Sequence, residues 1–270
     1  MENPRKYGHA PFGVAVIHGG PGAPGGMAPV ARELSALRGI LEPLQTATSF
    51  EGQILELKSA LERHADIPAA LVGHSYGAVL SYCLAADFPR LVSKLVLVSS
   101  GPFEKRYAEG IMETRLGRLS REERSQATAL MKYLSDAAGA DKTARFWQLG
   151  RLFERADSCA PLPVDVGTGD ELALNPEASE DQYRIHRGVW AEVERLRASG
   201  ELLERGRHIR CPVVAIHGDY DPHPAEGVRE PLASVIGDFR FLLLKDCGHE
   251  PWIERAAKAE FFRILAEELA

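Results

Sequence analysis

The fold is decided by residues 69–86, which read AALVGHSYGAVLSYCLAA. The apolar run 69–72 is typical of a buried strand, and the alanine-rich run 78–86 is typical of a helix. Between them lies a G-x-S-x-G pentapeptide with Ser75 at its centre. A sharp turn there would push the serine hydroxyl out above the sheet edge, and Gly73 and Gly77 would keep side chains out of the close approach. The segment predicts a nucleophilic serine, with a chance match of common turn residues as the alternative.

The composition is that of a soluble globular protein. A chain of 270 residues can form one domain, or a core with an inserted lid. A net charge of −6 does not indicate binding to nucleic acid or attraction to an anionic membrane, both of which favour a basic surface. The N-terminal residues lack the apolar core of a signal peptide, and no apolar run approaches the ~18–20 residues that cross a bilayer. We therefore expect a cytoplasmic protein.

The four cysteines do not form a recognisable motif. None belongs to a C-x-x-C pair, so we expect neither a zinc site nor a disulfide framework. Cys83 and Cys211 fall in apolar segments and are interpreted as small core residues. The serine chemistry predicted from Ser75 needs no metal and no organic cofactor.

Strand and helix patterns alternate along both ends of the chain. Strands are predicted at 12–17, 69–72, 94–100, 212–216 and 239–244, with a brief strand or turn at 39–44. Helices are predicted at 27–37, 50–64, 78–86 and 253–269. Such alternation with short connections indicates an α/β protein with a mostly parallel sheet flanked by helices on both faces.

The middle of the chain differs from both ends. Residues from about 101 to 208 lack strand patterns, carry dense charge and space their apolar residues as helices do. We therefore divide the chain into a first part of the core at 1–101, a helical cap inserted at 102–208, and a second part of the core at 209–270.

A loop rich in glycine follows the first predicted strand and reads HGGPG over residues 18–22. With so few side chains, its backbone can approach a ligand closely, at the strand ends where α/β sheets bind ligands. Pro21 has no N–H group, so amide donors can come only from Gly19, Gly20 or Gly22. A merely flexible turn is the alternative.

A serine nucleophile needs a base, and the base needs a carboxylate to orient it. The chain offers these groups in the order Ser75, Asp221 and His249, each in the loop just past an apolar strand. This is the chain order of the Ser-Asp-His arrangement in α/β-hydrolases.

Other residues compete for these roles. Asp219 follows its strand immediately and is interpreted as a turn residue, which favours Asp221 as the acid. Four other histidines lie near strand ends. His18 and His74 are expected to shape their own loops or to hydrogen-bond across them, His217 to be a core residue, and His223 to be able to approach the site from between two prolines.

The sequence resembles the α/β-hydrolase superfamily over nearly its whole length. Its HGGPG loop is similar to that of the proline iminopeptidase-like branch, and Gly218-Asp219-Tyr220-Asp221 and Gly248-His249 resemble the acid and base loops of that branch. The resemblance implies an oxyanion hole formed by the N–H groups of Gly20, or alternatively Gly19, and of Tyr76. It also implies that the helical insertion is the cap of the family.

The substrate is predicted only by class. We expect an ester or amide of a small molecule or short peptide, as for a carboxylesterase, a thioesterase or an iminopeptidase-like aminopeptidase. A cofactor-free lyase and a ligand-binding member of the fold are the alternatives. Trp190 and Glu192 are candidate substrate-binding residues, although packing and a solvated helix face also explain them. Other cap candidates are Trp147, Glu171, Glu177, Glu180 and Glu194. The two antiparallel strands that usually open the fold are expected to be shortened or absent.

Overall fold

The computed structural model describes residues 3–21, 24–135, 142–163 and 176–270, with side chains from residue 183 onward in the last range. Its centre is a seven-stranded sheet in the order β1-β3-β2-β4-β5-β6-β7. The first strand runs antiparallel to its neighbour β3, and the other pairs are parallel. The strands are β1 (Arg5–Tyr7), β2 (Val14–Ile17), β3 (Ile40–Glu42), β4 (Ala69–His74), β5 (Val92–Val98), β6 (Val213–Gly218) and β7 (Phe239–Leu244). This confirms the predicted α/β class with a mostly parallel sheet.

Helices cover both faces of the sheet. One face packs against α2 (Phe50–His64), α3 (Tyr76–Asp87) and α9 (Glu226–Val235), and the other against α1 (Ala28–Ser35) and α10 (Lys258–Glu268). Side chains of each strand alternate between the two cores, as Leu71 and Val72 of β4 do. Burial on both sides explains why the central strands read as continuous apolar runs.

The remaining helices lie between β5 and β6 in the chain. They are α4 (Ile111–Arg118), α5 (Arg121–Ser135), α6 (Lys142–Asp157), α7 (Pro176–Ser199) and α8 (Glu201–Glu204). Helices α5 and α6 share a small apolar cluster of their own, to which Leu119, Ala127, Leu130, Leu149, Leu152 and Ala156 belong. Helix α7 instead packs its apolar face on the main core through Ile185, Val189, Val193 and Leu196. In the described ranges, no helix is both long and apolar enough to span a lipid bilayer.

Several elements differ from the predicted ones. Helix α10 begins at Lys258 rather than at residue 253, because turns occupy residues 251–257. Helix α9 was not predicted, and it contains Pro231, a residue that usually argues against a helix. One short antiparallel strand, β1, does precede the parallel sheet. Cys83 and Cys211 are buried and unpaired, in agreement with their interpretation as core residues.

Candidate active site

Ser75 lies in the turn between β4 and α3. Its backbone has φ 53° and ψ −117°, a conformation that costs an ordinary residue about 1–3 kcal/mol. The Ser75 N–H donates to the carbonyl of Val98 at 2.9 Å, which fastens the turn to the end of β5. The strained turn therefore presents the Ser75 side chain at the carboxyl edge of the sheet, where the sequence predicts a nucleophile.

The two glycines of the pentapeptide are required for steric reasons. A Cβ at Gly73 would lie 2.7 Å from the Cα of Ala78, and one at Gly77 would lie 2.8 Å from the carbonyl carbon of Ile17. Neither position can hold a side chain unless β4, α3 or the end of β2 moves. The predicted close approach of strand and helix is confirmed.

The glycine loop lies directly against the serine. A Cβ at Gly19 would lie 3.2 Å from the Cβ of Ser75, and Gly20 lines the same cavity as Ser75. Tyr76 begins α3, and the first N–H groups of a helix have no acceptor within the helix. Gly22, the third glycine predicted as a possible amide donor in this loop, lies outside the described residues.

Asp221 and His249 meet at the ends of β6 and β7. The Nδ1 atom of His249 lies 2.8 Å from Oδ2 of Asp221, and both side chains are largely buried. Burial raises the pKa of Asp221, but the electrostatic interactions with the imidazoles of His249, His223 and His217 outweigh it and hold that pKa well below its usual value. Asp221 is therefore a carboxylate that accepts a hydrogen bond from His249 and fixes the orientation of its ring.

His223 also contacts Asp221. Its Nδ1 atom lies 2.7 Å from Oδ1 of Asp221, and its backbone N–H donates to the same oxygen at 2.9 Å. Sequence reasoning placed His223 only near the site. The D-x-H spacing was the available signal, because an aspartate side chain often accepts from the backbone two residues later.

The other histidines near the strand ends support loops. His74 Nε2 lies 3.0 Å from the carbonyl oxygen of His249, and His18 Nδ1 lies 2.9 Å from the carbonyl oxygen of Gly19. His217 Nε2 lies 2.8 Å from the carbonyl oxygen of His223, and the ring is buried. Burial lowers the pKa of His18 to about 4 and holds that of His74 well below its usual value, so both rings are neutral near pH 7. These contacts agree with the roles expected from the sequence.

Asp219 lies just outside this cluster. Its carboxylate accepts from the backbone N–H of Cys247 at 3.3 Å, which is a turn contact as predicted. Among the described residues, the group that could hold a metal ion is Asp221, His223 and His249, whose ligand atoms lie within 4.8 Å of one another. Both Nδ1 atoms of this group are occupied by hydrogen bonds to the carboxylate, so an ion bound to them would have to displace those protons.

A cavity of about 470 Å³ separates this edge of the sheet from the cap. Its core side includes Gly20, Ser75 and His223. Its cap side is mostly apolar, with Ile111, Met112, Phe146, Leu149, Phe153 and Trp190. A pocket of this size and character suits a small organic molecule.

The charged residues of the cavity come in pairs. Arg115 of α4 binds Asp157 with two parallel hydrogen bonds, Nε to Oδ1 at 2.8 Å and Nη2 to Oδ2 at 2.6 Å. Arg197 of α7 is buried and pairs with Glu194, whose side chain keeps 44% of its exposure. The carboxylate of Glu194 is therefore the more accessible charged group of its pair.

The two proposed substrate-binding residues of α7 lie in different places. Trp190 lines the cavity and stacks on His186 with ring centroids 5.9 Å apart. Glu192 instead accepts the backbone N–H of Phe50 at 3.0 Å, at the N-terminus of α2, and it is not among the cavity residues. Glu194, about one helical turn after Trp190, does line the cavity. Of the other glutamate candidates, Glu171 and the side chains of Glu177 and Glu180 lie outside the described residues.

The loop that carries His249 is fastened to the cap. The buried carboxylate of Glu254 accepts N–H groups of Cys159 at 2.7 Å, of Ala160 at 2.7 Å and of Gly248 at 3.1 Å. The N–H of His249 donates to the carbonyl oxygen of Asp157 at 2.9 Å. The end of α6 and the His249 loop therefore form one hydrogen-bonded unit.

The match to a known family agrees with this geometry. Residues 11–263 match the model of the alpha/beta hydrolase family, and the chain belongs to that family. No curated protein matches the sequence.

Solved structures with low sequence identity share the fold. The crystal structure of VinJ has a TM-score of 0.73 at 17% identity, covering 98% of this chain and 93% of that one. A proline iminopeptidase from Mycobacterium smegmatis has a TM-score of 0.63 at 18% identity, with 98% and 93% covered. Est816, described as an N-acyl homoserine lactone degrading enzyme, has a TM-score of 0.60 at 16% identity, with 98% and 95% covered. At such identities the likeness concerns the fold alone.

Proposed function

We propose that the protein is a serine hydrolase that cleaves an ester or amide of a small molecule or short peptide through an acyl-enzyme. The observation that carries the proposal is the combination of Ser75 in a strained turn on the cavity with the Asp221–His249 pair at the same sheet edge. Acyl transfer requires a hydroxyl within reach of an imidazole that a carboxylate orients, and the proposal gives these roles to Ser75, His249 and Asp221.

In the proposed mechanism, Ser75 Oγ attacks the carbonyl carbon while His249 Nε2 takes the hydroxyl proton. Asp221 stabilises the resulting imidazolium, and the N–H groups of Gly20 (or Gly19) and Tyr76 receive the oxyanion. His249 then returns the proton to the leaving group. Water attacks the acyl-enzyme by the same route and releases the acid, so no metal or organic cofactor is invoked.

The test is covalent labelling together with hydrolysis. Wild-type protein should react with a fluorophosphonate probe at Ser75 and hydrolyse p-nitrophenyl esters, and Ser75→Ala should lose both activities. Ser93→Ala, which changes an exposed serine at the other end of β5, is the matched control and should keep both. Full ester hydrolysis by Ser75→Ala, or no labelling of the wild-type protein, would overturn the proposal.

Glu194 favours an aminopeptidase as the second candidate. Glu194 lines the cavity and its side chain is partly exposed, so its carboxylate is a candidate to bind the free amino group of an aminoacyl substrate. The proline iminopeptidase among the structural neighbours is consistent with this reading but shows only the shared fold.

A pair of glutamate variants tests the aminopeptidase reading. The substrates are p-nitroanilides of proline, alanine and leucine, each with a free or an acetylated amino group. If the reading is correct, Glu194→Gln raises KM for the free amines by roughly tenfold or more, since a charge-assisted hydrogen bond is lost. Glu192→Gln, whose carboxylate binds α2 instead, should leave the preference for free amines intact. Hydrolysis of p-nitrophenyl esters alone would remove this candidate.

A further inference from the structure

Asp221 carries two imidazoles, of which the mechanism uses only one. Oδ2 receives His249 and Oδ1 receives His223, with the two ring centroids 4.7 Å apart and the rings tilted by 33°. His223 is as deeply buried as a core residue, at 8% exposure, yet it lines the cavity together with Ser75. A histidine that only shaped the acid loop would not need to reach the cavity.

The hydrogen bonds determine the tautomer of His223. An ionised carboxylate has no proton to donate, so the Nδ1 atom of His223 must carry the hydrogen of that bond. Burial lowers the pKa of His223 to about 4, although Asp221 opposes this effect. Near pH 7 the ring is therefore neutral, with its proton on Nδ1 and a lone pair on Nε2.

The Nε2 atom of His223 is free to act as an acceptor. No hydrogen-bond partner occupies it within the described part of the chain, and it is not among the polar atoms that are both fully buried and unpaired. The side chain retains 10% of its exposure. Since Nε2 has no partner among the described residues and is not fully buried, it keeps some of this exposure, and His223 lines the same cavity as Ser75.

We propose that His223 is a specificity-determining residue: held by Asp221 through Nδ1, it presents Nε2 as a hydrogen-bond acceptor that selects substrates with an N–H or O–H donor beside the scissile bond. This inference rests on the proposed hydrolase function. Amides, aminoacyl and hydroxyacyl compounds carry such donors, whereas simple alkanoyl esters do not. Buried polar groups discriminate strongly against substrates that leave them unpaired.

The test compares two matched pairs of substrates. The acyl side is probed with p-nitrophenyl lactate against p-nitrophenyl propanoate, and the leaving-group side with ortho-hydroxyphenyl butanoate against ortho-methoxyphenyl butanoate. For each pair, the ratio of kcat/KM is divided by the ratio of the spontaneous hydrolysis rates. The wild-type protein should favour the donor-bearing member of at least one pair, and that pair identifies the side on which the donor lies.

His223→Asn separates the two roles of the residue. An asparagine amide nitrogen can take the place of Nδ1 and still donate to Asp221, but no atom replaces Nε2. We expect the preference for the donor-bearing substrate to fall roughly fivefold to thirtyfold, the loss of one hydrogen bond. His9→Asn makes the same chemical change at an exposed position and should keep the preference.

The outcomes distinguish this inference from the function on which it rests. If fluorophosphonate labels Ser75 but His223→Asn retains the wild-type preference in both pairs, His223 only positions Asp221 and the inference is wrong. If the variant fails to fold, the wild-type preference still decides, because its absence from both pairs also overturns the inference. Failure of the wild-type protein to be labelled at all would instead refute the hydrolase proposal.

Discussion

His249 experiences opposing electrostatic influences. Burial lowers its pKa, but the charge and the hydrogen bond of Asp221, helped by the charge of Asp157, outweigh burial and the nearby Arg115. The pKa of His249 is therefore raised above its usual value. A general base must be neutral before it can accept a proton, so this shift moves the onset of activity to higher pH.

The expected pH profile of the wild-type protein follows from this upward shift of the His249 pKa. We expect kcat/KM for a p-nitrophenyl ester to rise with pH through an apparent pKa above 6.5 and then to level off. Asp221→Asn removes the charge that raises the pKa, so the midpoint should move to lower pH. The plateau should fall by roughly 10³–10⁴-fold, because the imidazole loses its orientation and its stabilising charge. An unchanged midpoint in Asp221→Asn would show that another group sets the profile.

Residues at strand ends were predictable, and their partners were not. Ser75, Asp221 and His249 each follow an apolar strand, which predicts that they lie at one edge of the sheet, and the contact between Asp221 and His249 agrees with that prediction. The contact between His223 and Asp221 depends on how the segment after Asp221 turns, which the flanking prolines did not specify. Likewise, only the rotation of α7 determines that Glu194 faces the cavity while Glu192 binds Phe50.

At the scale of elements, the junction of β4 and α3 depends on the absence of side chains. We expect Gly77→Ala to lower the free energy of unfolding by about 1–3 kcal/mol, since its Cβ meets the carbonyl group of Ile17 at the end of β2. Gly150→Ala is the matched control in the middle of α6, where an added Cβ meets nothing within 4 Å. It should instead raise the free energy of unfolding by about 0.5–1 kcal/mol, the difference in helix propensity. Urea denaturation of both variants measures these changes, and equal stability would contradict the steric account.

The predicted elements were most accurate where one face packs on the sheet. The amphipathic pattern predicted both ends of α2 correctly. In the structure the side chain of Ser49 caps the N-terminus of this helix, at the point where the apolar spacing begins. The start of α10 was wrong, since the apolar residues Trp252 and Ile253 precede it in turns yet pack on the same core. Apolar spacing alone cannot distinguish the first turn of a helix from non-helical turns whose apolar residues pack on the same core.

At the scale of the whole molecule, Glu254 joins the cap to the core. Glu254→Gln replaces one acceptor oxygen with an amide group that faces N–H donors, so at least one of the three hydrogen bonds is lost. We expect the free energy of unfolding to fall by about 1.5–3 kcal/mol and kcat to fall more than KM changes, because the His249 loop is displaced. Glu113→Gln, an exposed change on α4, is the control and should alter neither. A variant that loses stability but keeps kcat would show that these hydrogen bonds are not needed to position His249 for catalysis.

The Glu254 carboxylate also couples the position of residues 157–160 to that of the His249 loop. Because it binds the backbone of both Cys159 and Gly248, residues 157–160 cannot move away from the core without removing hydrogen bonds from the loop of His249. Any displacement of these residues therefore weakens the support of the His249 loop at the same moment. The position of the proposed base thus depends on one buried carboxylate that the helical segment and the sheet edge share.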